Sequence, residues 1–84
     1  MLILCDFARF NTPDAVYDYL AAELRFPDYF GRNLDALHDC LTDIGAPTRL
    51  ILTGTGSPCG QHFLQVFRDA ARRNRNLSVE AHEG

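Results

Sequence analysis

Asp35, Asp39 and Asp43 recur four residues apart, with His38 directly before the middle one. On a helix that spacing lines carboxylates along one edge. A row of this kind could hold a cation, share proton transfer with a histidine, or present negative charge to a cationic surface. An enzyme would use Asp35, His38 and Asp39 as acid, base and metal ligand. The chain offers no obvious completing ligand, and Asp6-Phe7-Ala8-Arg9 stands where a Gly-rich phosphate loop would follow the first apolar run. Cys59 with His62 makes an equally thin metal pair, so no cofactor is expected. The row is either a solvated polar face or a docking edge for a cationic partner, which would offset the about 0.2–0.5 kcal/mol that each like-charge i,i+4 pair costs a helix. Only Asp35, near the N-terminus, regains some of this from the helix dipole.

The elements that must carry this edge are legible from punctuation and period. Leu2-Ile3-Leu4-Cys5 is a short continuous apolar run, the pattern of a central strand covered on both faces. Thr12-Pro13 is a cap and first-turn pair, and Val16, Leu20 and Leu24 then recur at helical spacing, giving a helix over about 13–25. Pro27 disfavours helical geometry at Phe26, and Gly31 is the residue that can take a positive φ, so 26–31 interrupts the chain. Asn33 caps a second helix striped by Leu34, Leu37, Leu41 and Ile44, which Gly45 and Pro47 end. Leu50-Ile51-Leu52 reads as a second strand and Thr53–Gly60 as a loop. Phe63, Leu64, Phe67, Ala70 and Ala71 stripe a third helix that should fray at Asn74 to Asn76. Leu77, Val79 and Ala81 then alternate with polar residues as a third strand. Strands separated by helices pair in parallel. The expected architecture is an α/β domain over residues 1–84 with a small three-stranded parallel sheet and three to four helices.

Composition narrows the class. Eighty-four residues suit one domain, and no apolar run approaches the length of a membrane span or a secretory h-region. Three cysteines in no CxxC spacing fit a reducing, cytoplasmic setting; Cys5 and Cys40 read as small buried hydrophobes and Cys59 as an exposed loop thiol. The net charge is −3, and all eight basic residues are Arg. Residues 11–43 hold seven acids against Arg25 and Arg32, or −5, while 44–84 hold five Arg against Asp69, Glu80 and Glu83, or +2. Arg68, Arg72 and Arg75 could share a helix face toward nucleic acid, but cations at a helix C-terminus are explained by its dipole. Tyr29 and Phe30 sit just before the acidic helix, and two adjacent aromatics cannot both enter so small a core. One should be exposed beside the acids, the composition of an interface centre.

The run from Phe26 through Gly31-Arg32-Asn33-Leu34-Asp35-Ala36-Leu37-His38-Asp39-Cys40-Leu41-Thr42 resembles the signature of the barstar family, intracellular inhibitors of barnase-type ribonucleases. It covers about 17 contiguous positions and extends more loosely to Leu64–Ala70. The resemblance implies a small parallel three-stranded sheet carrying helices, whose second helix and preceding loop plug a nuclease active site. It implies that Tyr29 packs against the nuclease, that Asn33 and Asp35 contact its basic rim, and that Asp39 enters its phosphate-binding site. Thr42 would bond near the helix end, and Asp69 would be a peripheral acidic contact where the family pattern has Glu. Phe30, His38 and Asp43 complete the expected surface. A carboxylate can stand in for a phosphate among Arg, Lys and His. His38 stands where the family has Trp, Arg32 replaces an acid, and residues 53–60 are shorter, leaving a turn in place of a short helix. The implied protein is a monomeric inhibitor or immunity protein that forms a 1:1 complex with a basic ribonuclease, without contacting nucleic acid or membrane. Its alternative is a barstar-like module for a non-barnase toxin or another protein.

Overall fold

A computed structural model describes residues 1–82. In chain order it contains β1 (Leu2–Asp6), a 3₁₀ turn (Phe7–Arg9), α1 (Pro13–Leu24), α2 (Leu34–Thr42), β2 (Thr48–Thr53), α3 (Pro58–Arg73) and β3 (Leu77–Ala81). The sheet order is β1-β2-β3, all parallel, with Ile3 beside Leu50 and Leu50 beside Val79. This is the α/β architecture expected from the alternation of strand and helix patterns. Among the described residues no helix is long and apolar enough to cross a membrane.

Side-chain alternation gives the sheet two unlike faces. Ile3, Cys5, Leu50, Leu52 and Leu77 are buried beneath the helices, whereas Leu2 and Leu4 are 58% and 62% exposed on the opposite side. β1 is therefore an edge strand covered on one face, not the central strand its apolar run suggests; β2 takes the centre. A continuous apolar run does not distinguish the two, because one-sided burial needs only every second residue. The Tyr19 hydroxyl on α1 donates to the Leu4 carbonyl at 2.6 Å, occupying one of the edge groups that would otherwise be open to pairing.

The helices start where their caps stand. The Thr12 hydroxyl accepts from Ala15 N at 3.3 Å, and Asn33 Oδ1 from Ala36 N at 2.8 Å. Ser57 Oγ accepts from Gly60 N at 3.2 Å with Pro58 in the first turn, so α3 begins inside the expected 53–60 loop and only a turn remains before it. This start buries Cys59, whose Sγ donates to the Phe10 carbonyl at 3.4 Å; it is not an exposed loop thiol. At its other end α3 stops at Arg73, so Arg75 lies beyond it and does not extend an Arg68–Arg72 face. The core joins Phe7, stacked on Phe63 at 5.9 Å, to Tyr17, edge-on to Phe63 at 5.1 Å, with Leu20, Leu37 and Leu41 from α1 and α2.

Two glycines make the β2–α3 turn possible. Gly54 adopts φ +64°, and a Cβ on Gly60 would lie 2.5 Å from the Gly54 carbonyl oxygen and 2.6 Å from Thr55 backbone atoms. Gly60→Ala should therefore destabilise the fold by about 1–3 kcal/mol, the usual cost of overpacking, read as a lowered urea midpoint with unchanged slope. An unchanged midpoint would mean that this contact gives way freely.

Candidate functional site

The segment before α2 reverses the chain through two arginines. Arg25, the C-cap of α1, has φ 55°, and Arg32, just before the Asn33 cap, has φ 52°. Gly31 does not take the positive φ expected of it. Its lack of a side chain serves close approach, since a Cβ there would meet Asn33 Nδ2 at 3.1 Å and the Ala36 methyl at 3.4 Å. Between these points Phe26 and Phe30 pack together at 5.0 Å, and Phe30 turns its edge to Tyr17 at 5.9 Å. Phe30 thus roots the loop in the core, and Tyr29 is driven outward, 87% exposed.

Helix α2 presents its sides in order, at about 100° per residue. Leu37 and Leu41 are fully buried, and Asp39 stands near the middle of the outward side with its side chain 82% exposed. His38, on the side nearer α3, is half-buried, with Nδ1 4.0 Å from Asp39 Oδ1. An open groove of about 560 Å³ separates α2 from the preceding loop and is lined by Phe26, Tyr29, Phe30, Asp39, Cys40 and Asp43 among others. The fold thus brings Tyr29, Phe30, Asp39 and Asp43 to one groove. Asp35 is exposed at the N-terminal end of the same helix, outside that groove. Asn33 spends its side chain on the cap, donating also to the Gly31 carbonyl at 3.2 Å, and the Thr42 hydroxyl donates to the Asp39 carbonyl at 3.0 Å.

The acids divide by partner. Asp14 and Asp18 face Arg32, Glu80 pairs with Arg49 at 2.7 Å, and Asp69 is gripped by Arg72. The hydrogen bond from Arg72, a second from Gln65 Nε2 at 3.0 Å, and the nearby charges of Arg72 and His38 hold the Asp69 carboxyl below the usual range. Asp35, Asp39 and Asp43 have no Arg within 4.0 Å among the described residues. Asp43 also caps the C-terminal end of α2, where the helix dipole disfavours an anion. Among the same residues no group of three or more His, Cys, Asp or Glu is placed to hold a metal ion.

One residue that positions the site gave no functional signal in the sequence. Asn74 does not fray but is 8% exposed, and its Nδ2 donates to the carbonyls of Leu41 and Ile44 at 3.0 and 2.9 Å. Asn74 Oδ1 accepts from Asn76 N at 2.9 Å, while Asn76 Nδ2 adds a bond to Ile44 at 3.3 Å. The last carbonyls of α2 are satisfied from the α3–β3 turn, 30 and more residues away in the chain. An asparagine next to a helix end announces only a cap, so its distant partners were not readable.

The fold therefore sets an exposed acidic helix edge beside a loop tipped by an exposed tyrosine. Comparison with known proteins carries this further: the chain matches the family described as Barstar (barnase inhibitor) over residues 1–82 and belongs to it. It is similar to "Putative ribonuclease inhibitor YrdF" of Bacillus subtilis (strain 168), with 47% identity over 51 residues, 60% of this chain and 56% of the relative. The match thus spans little more than half the length of that relative.

Two measurements check this geometry. Asn74→Ala, which strips donors from two partly or fully buried carbonyls, should cost about 1–3 kcal/mol by chemical denaturation and speed amide exchange at the C-terminal turn of α2. Thiol labelling of the native protein should reach Cys40 first. Burial pushes the Cys5 thiol up to about 12, and Cys59 is enclosed. Cys40 is half-exposed but raised by desolvation, then by Asp43 and Asp39, so its labelling should be slow at neutral pH and quicken in alkali. Labelling of Cys5 ahead of Cys40 would contradict the packing of β1.

Proposed function

We propose that this protein inhibits a basic, barnase-type ribonuclease by covering its active site with α2 and the Tyr29 loop, without catalysis. The observation that carries the reading is the division of the acids. Among the described residues Asp14, Asp18, Asp69 and Glu80 are matched with Arg; Asp35, Asp39 and Asp43, like Asp6, Glu23 and Asp28, are not, and these three form a row along α2 beside an exposed tyrosine. Membership of the barnase-inhibitor family and likeness to a relative named as a ribonuclease inhibitor support the same partner class.

In this reading Asp39 takes the place of a substrate phosphate among the nuclease's cations, with short charge-assisted bonds. Tyr29 lies against the nuclease surface, and Asp35, Asp43 and His38 flank it. Phe30, Asn33 and Thr42 hold the surface in shape from beneath or within. Asp69 contributes from the periphery, its carboxylate shared with Arg72 and Gln65. Residues 1–84 act as one domain, one inhibitor binds one nuclease, and three unpaired thiols suit the cytoplasm of a cell that must survive its own toxin.

With barnase as the probe enzyme, Asp39→Ala should weaken inhibition by about 30-fold to several thousandfold, the range for removing one member of a desolvated charge pair. Its melting temperature should stay level or rise slightly, because the substitution relieves like-charge crowding on α2. Association should slow steeply with added salt, whereas dissociation should change little. An Asp39→Ala protein that inhibits as well as the parent would sink the site assignment. Failure of the parent to inhibit barnase, with capture of a different basic toxin through the same residues, would move the function to the immunity-protein alternative.

A further inference from the structure

Arg32 poses a problem for any surface meant to meet a cationic nuclease, since it puts a permanent positive charge next to the acidic helix. Its geometry answers that problem. The side chain does not extend toward the groove; it turns back on α1, with Nη2 3.1 Å from Asp18 Oδ1, 3.9 Å from Asp14 Oδ1 and 3.4 Å from the Asp14 carbonyl. Its backbone sits at φ 52°, a region an L-residue occupies at a cost unless its surroundings hold it there. The residue follows Gly31 and precedes the Asn33 cap, so its φ and ψ set the angle at which the loop enters α2.

We propose that Arg32 is a positioning residue: its guanidinium, shared between Asp14 and Asp18, clamps the 26–33 loop to α1 and so presets Tyr29 against the Asp39 edge of α2. The proposal deepens the nuclease-inhibitor reading, on which its binding arm rests. The two α1 acids cancel the Arg32 charge where it sits, so it does not offset the α2 row of Asp35, Asp39 and Asp43. Exposed ion pairs are individually weak, but the guanidinium here meets two carboxylates and a carbonyl across 14 or more residues of chain, and it fixes a backbone angle. The benefit of such a clamp appears in binding, because a loop already ordered loses less entropy on docking.

The test sets charge against clamping. Arg32→Gln makes the surface more acidic and Asp18→Asn makes it less so. Simple steering toward barnase would therefore move their affinities in opposite directions. A clamp makes both weaker by about three- to tenfold, with the double variant no weaker than the worse single and Arg32→Lys in between. Amide exchange in the free proteins supplies the second arm. The amides of residues 28–33 should exchange about three- to tenfold faster in Arg32→Gln and in Asp18→Asn, with the melting temperature nearly unchanged. Arg32→Gln binding barnase as tightly as the parent or tighter, or loop amides that do not respond, would overturn the clamp. If the parent itself does not bind barnase, the nuclease reading fails for that enzyme, and exchange in the free chain decides the role of Arg32 alone.

Discussion

The candidate site depends on holding a nine-residue helix in place although Asp39 and the C-cap Asp43 lie toward the end whose dipole disfavours anions. A helix that short is marginal by itself. Tertiary contacts supply what its sequence withholds. Leu37 and Leu41 are fully buried in the core, where α2 packs on α3, each contributing about 1.5–3 kcal/mol of hydrophobic stabilisation. Two asparagines satisfy the ends: Asn33 accepts from the first turn, and Asn74 donates to the carbonyls of Leu41 and Ile44. The outward side is thereby left with little structural duty and can carry acids.

The charge pattern follows from that release. Arginines hold the acids that stabilise the scaffold, Arg32 with Asp14 and Asp18, Arg72 with Asp69, and Arg49 with Glu80 across neighbouring strands. Along α2, Asp35, Asp39 and Asp43 have no Arg partner among the described residues. The net charge hides this segregation because the C-terminal half is positive, yet Arg49 and Arg72 pair locally and Arg68 and Arg73 lie on α3. The aromatic pair divides in the same manner: Phe30 is anchored by Tyr17 and Phe26, and that anchoring exposes Tyr29.

Much of the site was legible in local signals. Asn33 followed by a leucine stripe located α2, the four-residue spacing of the aspartates put them on one edge, and adjacency alone required that Tyr29 or Phe30 be exposed. Ser57-Pro58 marks the start of α3, but the Gly-rich composition around it masks that signal and makes Cys59 look like a loop thiol. Other features depend on partners far away in the chain. The one-sided burial of β1 and the inward role of Asn74 have no local signature, whereas the bonds of Asp69 to Gln65 and Arg72 follow the i,i+4 and i,i+3 spacing of α3.

The sequence by itself determined which residues form helices and strands, that the strands run parallel, and that one helix would be acidic on one edge, because caps, periodicity and crossover length act over a few residues. Only the tertiary structure decided which strand is central, which aromatic points outward and which acids keep their charge unmatched. Those outcomes turn on whether an arginine or an amide from another element arrives within hydrogen-bonding reach, and at Arg32 that arrival makes a charge that would oppose a cationic partner part of the loop's support.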